Sequence, residues 1–258
     1  MREKLVVSVS GKGGSGKTTV AALILKHLLE HSDRTILVVD ADPSTNLPDV
    51  LGVHVEKTVG MVESEFRRKL DEGVIPPNVT KKELLEAWVY NVLVENPRFD
   101  LLAMGRSEGE GCYCSVNYLL TMIVDTLSKN YDVTLMDMEA GLEHLSRRTD
   151  RDVDIMLIVT DPSKMGLQTV ARIKELTKEV NIQFKKMYVI GNQFPEDMVD
   201  TLQEHVEAFG LNLAGVIPAD ANVMRYNIAG QPLLELPEDA PSVKAMTRIV
   251  AEIGLLPT

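Results

Sequence analysis

The stretch Leu5 to Thr19, LVVSVSGKGGSGKTT, decides how the rest of the chain is read. Its first six residues are apolar or small with no in-and-out alternation, the pattern of a strand buried on both faces. Gly11-Lys12-Gly13-Gly14-Ser15-Gly16-Lys17-Thr18 then fits G-x-x-x-x-G-K-[ST], directly after that strand and opening a helical pattern. Each residue type has a physical reason to be there. Glycines admit positive φ and let backbone N–H groups approach an anion closely. A helix beginning near Lys17 offers that anion unpaired N–H groups and the positive end of its dipole. Lys17 can reach the β- and γ-phosphates of a nucleotide, and the Thr18 hydroxyl can ligate Mg²⁺. Gly11 to Thr18, with Thr19 following, are therefore candidate contacts to a nucleoside triphosphate.

Outward from this loop the chain repeats the same alternation. Thr35 to Asp40, Asp100 to Met104, Val133 to Asp137, Ile155 to Thr160, Met187 to Ile190 and Leu213 to Ile217 are further apolar runs. Between them, Thr18 to His31, Val116 to Lys129, Gly166 to Val180 and Glu196 to Phe209 carry apolar residues at helical spacing. The expected fold is α/β, a doubly wound and mainly parallel sheet of seven to eight strands flanked by helices. Val55 to Arg98 breaks the rhythm with charged helical patterns at Val59 to Leu70 and Lys81 to Trp88, and reads as a helical excursion. No linker, low-complexity block or fixed-period repeat divides the 258 residues, so they read as one domain. In such sheets ligands sit beyond the carboxyl ends of the strands.

Composition narrows the function classes. A net charge of −11 makes a poor non-specific partner for nucleic-acid backbones, and Lys185-Lys186 is too short a basic run to offset it. The opening MREKLVVSVSGKGG has too short an apolar stretch for a secretory leader, and no window approaches the roughly 18 apolar residues of a membrane span. The expectation is a cytoplasmic protein acting on neither nucleic acid nor membrane. A disulfide between the two cysteines, Cys112 and Cys114, would be strained and out of place in a reducing compartment.

Two further segments suit phosphoryl transfer. Asp40-Ala41-Asp42-Pro43 ends the second apolar run, and Leu135-Met136-Asp137 ends another. Carboxylates at such places can hold the metal shell and orient an attacking water. The second lysine, Lys12, gives GKGGSGKTT, which resembles the deviant Walker A loop of the MinD/ParA/nitrogenase-iron-protein class of P-loop ATPases. That resemblance implies a MinD-like fold and a homodimer closed by ATP, with Lys12 reaching the partner's nucleotide. By the same resemblance Asp42 orients or activates the water, Asp40 and Asp137 join Thr18 around Mg²⁺, and Lys12, Lys17 and Asp42 are the catalytic set. The GTPase signature N-K-x-D is missing, since the chain reads Gly191-Asn192-Gln193-Phe194-Pro195. Asn192 and the loop containing Pro218 and Asp220 resemble the adenine-contacting segments, which favours ATP/ADP over guanine nucleotides.

Cys112-Tyr113-Cys114 lies in the loop EGEGCYCSVN. One C-x-C supplies two thiolates, and a two-fold axis nearby would supply the four that a closed tetrahedral site needs. Thiolates suit Zn²⁺ and Ni²⁺ alike. Spacing alone leaves open that the two are simply small buried residues. GCYCSVN after MGRSEGE, together with the later MDMEAGLEHLSRRT, is similar to the CooC-type ATPases, nickel-insertion accessory proteins of carbon monoxide dehydrogenase and acetyl-CoA synthase. The likeness runs from Leu5 to about Pro241. It implies Ni²⁺ or Zn²⁺ held by Cys112 and Cys114 across the dimer, and a nickel-enzyme client. At Glu139 that family more often has a small residue, and the role of this carboxylate stays open.

Two rivals remain at this stage. A ParA- or MinD-like positioning ATPase would need a basic DNA-facing surface or a basic amphipathic tail, and SVKAMTRIVAEIGLLPT has balanced charge. An iron–sulfur electron donor or cluster carrier would use four interfacial thiolates, but iron proteins of the class space their cysteines far apart.

Overall fold

The computed structural model describes residues 4–73, 90–106, 114–139, 153–179 and 184–255. Eight strands form one sheet in the order β3-β4-β2-β5-β1-β6-β7-β8. They are β1 Leu5–Gly11, β2 Ile36–Ala41, β3 Leu93–Glu95, β4 Asp100–Ala103, β5 Val133–Met138, β6 Val153–Thr160, β7 Phe184–Asn192 and β8 Asn212–Ile217. All pairs are parallel except β3 with β4. The seven runs read from sequence are the seven parallel strands. The added β3 falls inside the stretch taken as a helical excursion, three residues turning through Asn96 to Phe99 onto β4. Three residues carry too little periodicity to announce a strand.

The apolar strands owe their lack of alternation to burial on both faces. Ile36 and Val38 go to one core while Leu37 and Val39 go to the other. The first core is closed by α1 Lys17–His31, α2 Leu47–Leu51 and α8 Pro241–Ile253. The second is closed by α3 Val59–Asp71, α4 Cys114–Leu127, α5 Lys164–Glu179 and α6 Val199–Ala208. Helix α7, Ala221–Ala229, has no buried residue. The pattern at Lys81 to Trp88 lies outside the described residues.

Helix α8 comes from the tail whose charge is balanced. Val243, Ala245, Met246, Ile249, Val250 and Ile253 are buried, at the spacing of one helical face, and complete the core beside α1 and β8. The apolar face that an amphipathic anchor would offer a membrane is used here for packing. Among the described residues, no helix is long and apolar enough to cross a membrane.

Candidate functional site

The parallel strands end together, and the residues singled out from sequence leave the sheet along that one edge. Gly11 closes β1, Asp40 and Asp137 lie near the ends of β2 and β5, Asn192 closes β7, and Pro218 follows β8. β1 is flanked by β5 on one side and β6 on the other, so the loop after it opens where successive crossovers diverge.

The loop itself is tightly determined. Gly11 pairs with Val159 in β6, and a Cβ on Gly11 would stand 2.1 Å from the Val159 carbonyl oxygen. Gly16 precedes α1 with φ 91°, and a Cβ there would stand 2.1 Å from Asn192 Nδ2. Between them the Ser15 N–H donates to the Lys12 carbonyl at 3.1 Å. Asn192 is buried and donates Nδ2 to the Ser15 carbonyl at 2.8 Å. Because a carbonyl only accepts, the amide nitrogen must face the loop, leaving Oδ1 as the acceptor on the other side. Lys17 is buried, with its Nζ 3.5 Å from the Lys12 carbonyl oxygen.

Beside the loop stands an acidic pair. Thr18 Oγ1 donates to Asp137 Oδ2 at 2.7 Å. Asp40 accepts the Asp42 N–H on Oδ1 and the Leu47 N–H on Oδ2, both at 3.0 Å. Burial first, then the Asp137 carboxylate, pushes Asp40 up to about 7 against those two N–H groups. Burial likewise pushes Asp137 up to about 6, opposed by the Thr18 hydroxyl and the Lys17 ammonium. Asp137 Oδ1 and Ser15 Oγ are buried with no hydrogen-bond partner among the described residues. Buried orphan oxygens next to two uneasy carboxylates fit a site that takes a hard divalent cation and a phosphate. Asp42 is half-buried above them, its Oδ1 accepting the Ser44 N–H at 2.8 Å.

Thr19, Asn192, Pro218 and Asp220 line one cleft of 540 Å³. Its apolar wall comes from Ile217 and from Val223, Met224 and Ile228 of α7. Asp220 does more than line it. Its carboxylate accepts the Asn222 N–H, the Ser242 N–H and the Ser242 hydroxyl, joining the start of α7 to that of α8. Burial works against the charge, but these donors hold Asp220 below the usual carboxylate range.

Not every expected residue enters the site. Cys112 lies outside the described residues, and Cys114 opens α4 without its side chain being described. Among the described residues no group of three or more His, Cys, Asp or Glu is arranged to hold a metal ion. Glu139 has an exposed side chain, while its backbone oxygen accepts the Ser10 hydroxyl at 2.8 Å. Residues 140–152, which carry the rest of the segment after β5, are also outside the described set.

Sequence reasoning missed two features. One is the apolar wall of α7, a helix beyond the Pro218 loop whose Met224 and Ile228 were not singled out. The other is Asp161, which takes Lys12 Nζ at 2.6 Å. The signal for it was available: Asp161 follows an apolar strand, as Asp42 and Asp137 mark two others.

Comparison with known proteins agrees with this geometry. The family model described as "CobQ/CobB/MinD/ParA nucleotide binding domain" matches residues 6–233. An uncharacterised ATP-binding protein of Methanocaldococcus jannaschii is 44% identical over 249 residues, covering 96% of this chain and 98% of the relative. The carbon monoxide dehydrogenase accessory protein CooC of Rhodospirillum rubrum is 30% identical over 246 residues, covering 89% of each chain. In fold, the Pyrococcus furiosus cell division ATPase MinD superposes with a TM-score of 0.69 at 21% identity, covering 98% of this chain and 99% of that one.

Proposed function

The chain belongs to the CobQ/CobB/MinD/ParA family of nucleotide-binding ATPases, and from that premise we propose that it is a nucleotide-switched, homodimeric metallochaperone. Its work would be to deliver nickel to an enzyme of the carbon monoxide dehydrogenase or acetyl-CoA synthase type. The observation that carries the ATPase half is the Thr18–Asp137 hydrogen bond of 2.7 Å beneath the glycine loop. In this reading the paired hydroxyl and carboxylate are the groups that Mg²⁺ on a nucleotide would take. The metallochaperone half is supported by the C-x-C of Cys112 and Cys114 and by the likeness to the R. rubrum accessory protein over most of both chains.

In this reading residues 1–258 act as one ATPase domain. The backbone N–H groups of Gly13 to Thr18 and the Lys17 ammonium bind the phosphates of ATP. Thr18, Asp137 and Asp40 would hold Mg²⁺, which would supply charge neutralisation for the transferring phosphoryl group. Asp42 orients the water in line with that group. Asn192 Oδ1 and the Pro218 loop receive the adenine in the cleft walled by α7. Lys12 crosses to the partner's nucleotide, so a closed dimer is the hydrolytic form. Nickel is cargo, taken by Cys112 and Cys114 from both subunits, and closure and hydrolysis change the distance between the two thiolate pairs.

The deciding measurement is metal content with mass by light scattering, on anaerobically purified protein with and without ATP. About half a nickel or zinc ion per subunit, lost in Cys112→Ala/Cys114→Ala, is expected for a shared four-thiolate site. An ATP-driven dimer with no thiol-dependent metal would overturn the metal half and leave the ATPase switch standing. Brown colour and iron in the same preparation would turn the reading toward a cluster carrier.

A further inference from the structure

Lys12 and Asp161 are 149 residues apart in sequence, yet Lys12 Nζ lies 2.6 Å from Asp161 Oδ2 within one chain. Strand register brings them together. Gly11 at the end of β1 pairs with Val159 in β6, so Lys12 and the Thr160-Asp161 turn leave the sheet side by side.

The carboxylate is the seated partner and the lysine the movable one. Asp161 Oδ1 accepts the Ser163 hydroxyl, and Ser163 Oγ in turn accepts the Gly166 N–H at 3.0 Å. A Cβ on Gly166 would come within 2.3 Å of Asp161 Oδ1, so the first turn of α5 leaves room for this carboxylate only because residue 166 is glycine. The N-terminal end of a helix favours a negative charge. Burial opposes the charge, but the Lys12 and Ser163 bonds hold Asp161 below the usual carboxylate range. Lys12 reaches it on a flexible four-carbon stem.

Exposure sets the strength of the pair. The side chains of Lys12 and Asp161 are 33% and 23% exposed. A fully buried pair broken on one side is strongly destabilising, whereas a partly hydrated one is worth only a few-fold in an equilibrium. The contact is strong enough to bias where Lys12 points and weak enough to be exchanged.

We infer that Asp161 is the resting counter-ion of Lys12, folding it back onto its own subunit, and that dimer closure exchanges this carboxylate for the partner's nucleotide phosphate. The inference rests on the reading of Lys12 as the residue that crosses the dimer. Asp161 is then a positioning residue. It touches no reacting atom and acts by setting the threshold at which two subunits close.

The test uses the full chain, with mass by light scattering over a protein titration in a non-hydrolysable ATP analogue. Two pairs break per dimer, so Asp161→Asn is expected to close at about tenfold lower protein concentration than wild type. Affinity of the dilute single chain for the analogue should not move, which separates this effect from damage to the loop. Asp161→Glu, which keeps the charge, returns the threshold toward wild type. Asp161→Ala, run alongside in case the amide disturbs the turn, shifts it in the same direction as Asp161→Asn. The double variant Lys12→Ala/Asp161→Asn matches Lys12→Ala alone. Wild-type closure with an unmoved or raised threshold in Asp161→Asn and Asp161→Ala overturns the inference and spares the dimeric switch. Failure of the wild type to dimerise at any concentration overturns both.

Discussion

Asp40 and Asp137 are register partners in the neighbouring strands β2 and β5, and both are buried. The Asp137 carboxylate is the second cause, after burial, of the raised pKa of Asp40. In the proposed Mg²⁺ site, a charge arrangement that strains the free protein at neutral pH would favour a divalent cation once nucleotide arrives.

Stability of the nucleotide-free chain should therefore fall as pH rises. Both folded-state values, about 7 for Asp40 and about 6 for Asp137, lie above the ordinary 3.8. The folded state binds the extra protons, so its advantage is complete below about 4 and is lost as pH climbs through 6 and 7. Asp137→Asn removes one charge and keeps an acceptor for Thr18. Its Tm by calorimetry at pH 8 should exceed wild type by about 2–4 °C for each kcal/mol of strain relieved. The gain should shrink at pH 5 and vanish only below about 4, and a gain of equal size at pH 8 and pH 4 would refute the charge explanation.

Thr18→Ala removes the hydroxyl that donates to Asp137 at 2.7 Å. Hydrolysis, read as phosphate release with Mg²⁺ saturating, should fall by about 100-fold or more, the scale of losing one group that stabilises transition-state charge. Thr18→Ser, which keeps the hydroxyl, should retain most of the rate. Equal loss in both variants would point to packing instead.

Gly16→Ala combines a positive φ of 91° with a Cβ 2.1 Å from Asn192 Nδ2. The expected result is a stability loss of about 1 kcal/mol or more by urea melts, with weakened ATP binding, since the Asn192–Ser15 brace must shift. Adding Asn192→Ala should recover the steric part of the loss while leaving the φ strain.

Met224 is 64% exposed on a helix with no buried residue, so folding should not notice its replacement. If it walls the adenine cleft, Met224→Glu should weaken ATP binding about tenfold, the worth of one apolar side chain covered by ligand. Binding of a fluorescent ATP analogue measures this, and an unchanged affinity with unchanged Tm would move the base elsewhere.

Much of this protein was legible in one dimension. Val6 to Val9 and Ile36 to Val39 show sheet burial on both faces because every residue in them must be apolar or small. Strand β3 was not legible, because three residues at an edge hold no period. The tail that forms helix α8 was weighed only by its balanced charge, which could not say that an apolar face closes the core against α1 and β8.

The chemistry divides the same way. The glycine loop from Gly11 to Thr18 was determined by sequence alone, because its φ angles, its backbone donors and its lysine are all local properties of eight consecutive residues. The pairing of Asp40 with Asp137, the hold of Asp161 on Lys12 and the brace from Asn192 to Ser15 were decided only by tertiary structure. Each joins residues in, or in the loops just after, different strands along one sheet edge. Local periodicity states that a segment is a strand, while strand order and register, which are non-local hydrogen-bond choices, state which strand stands next to it.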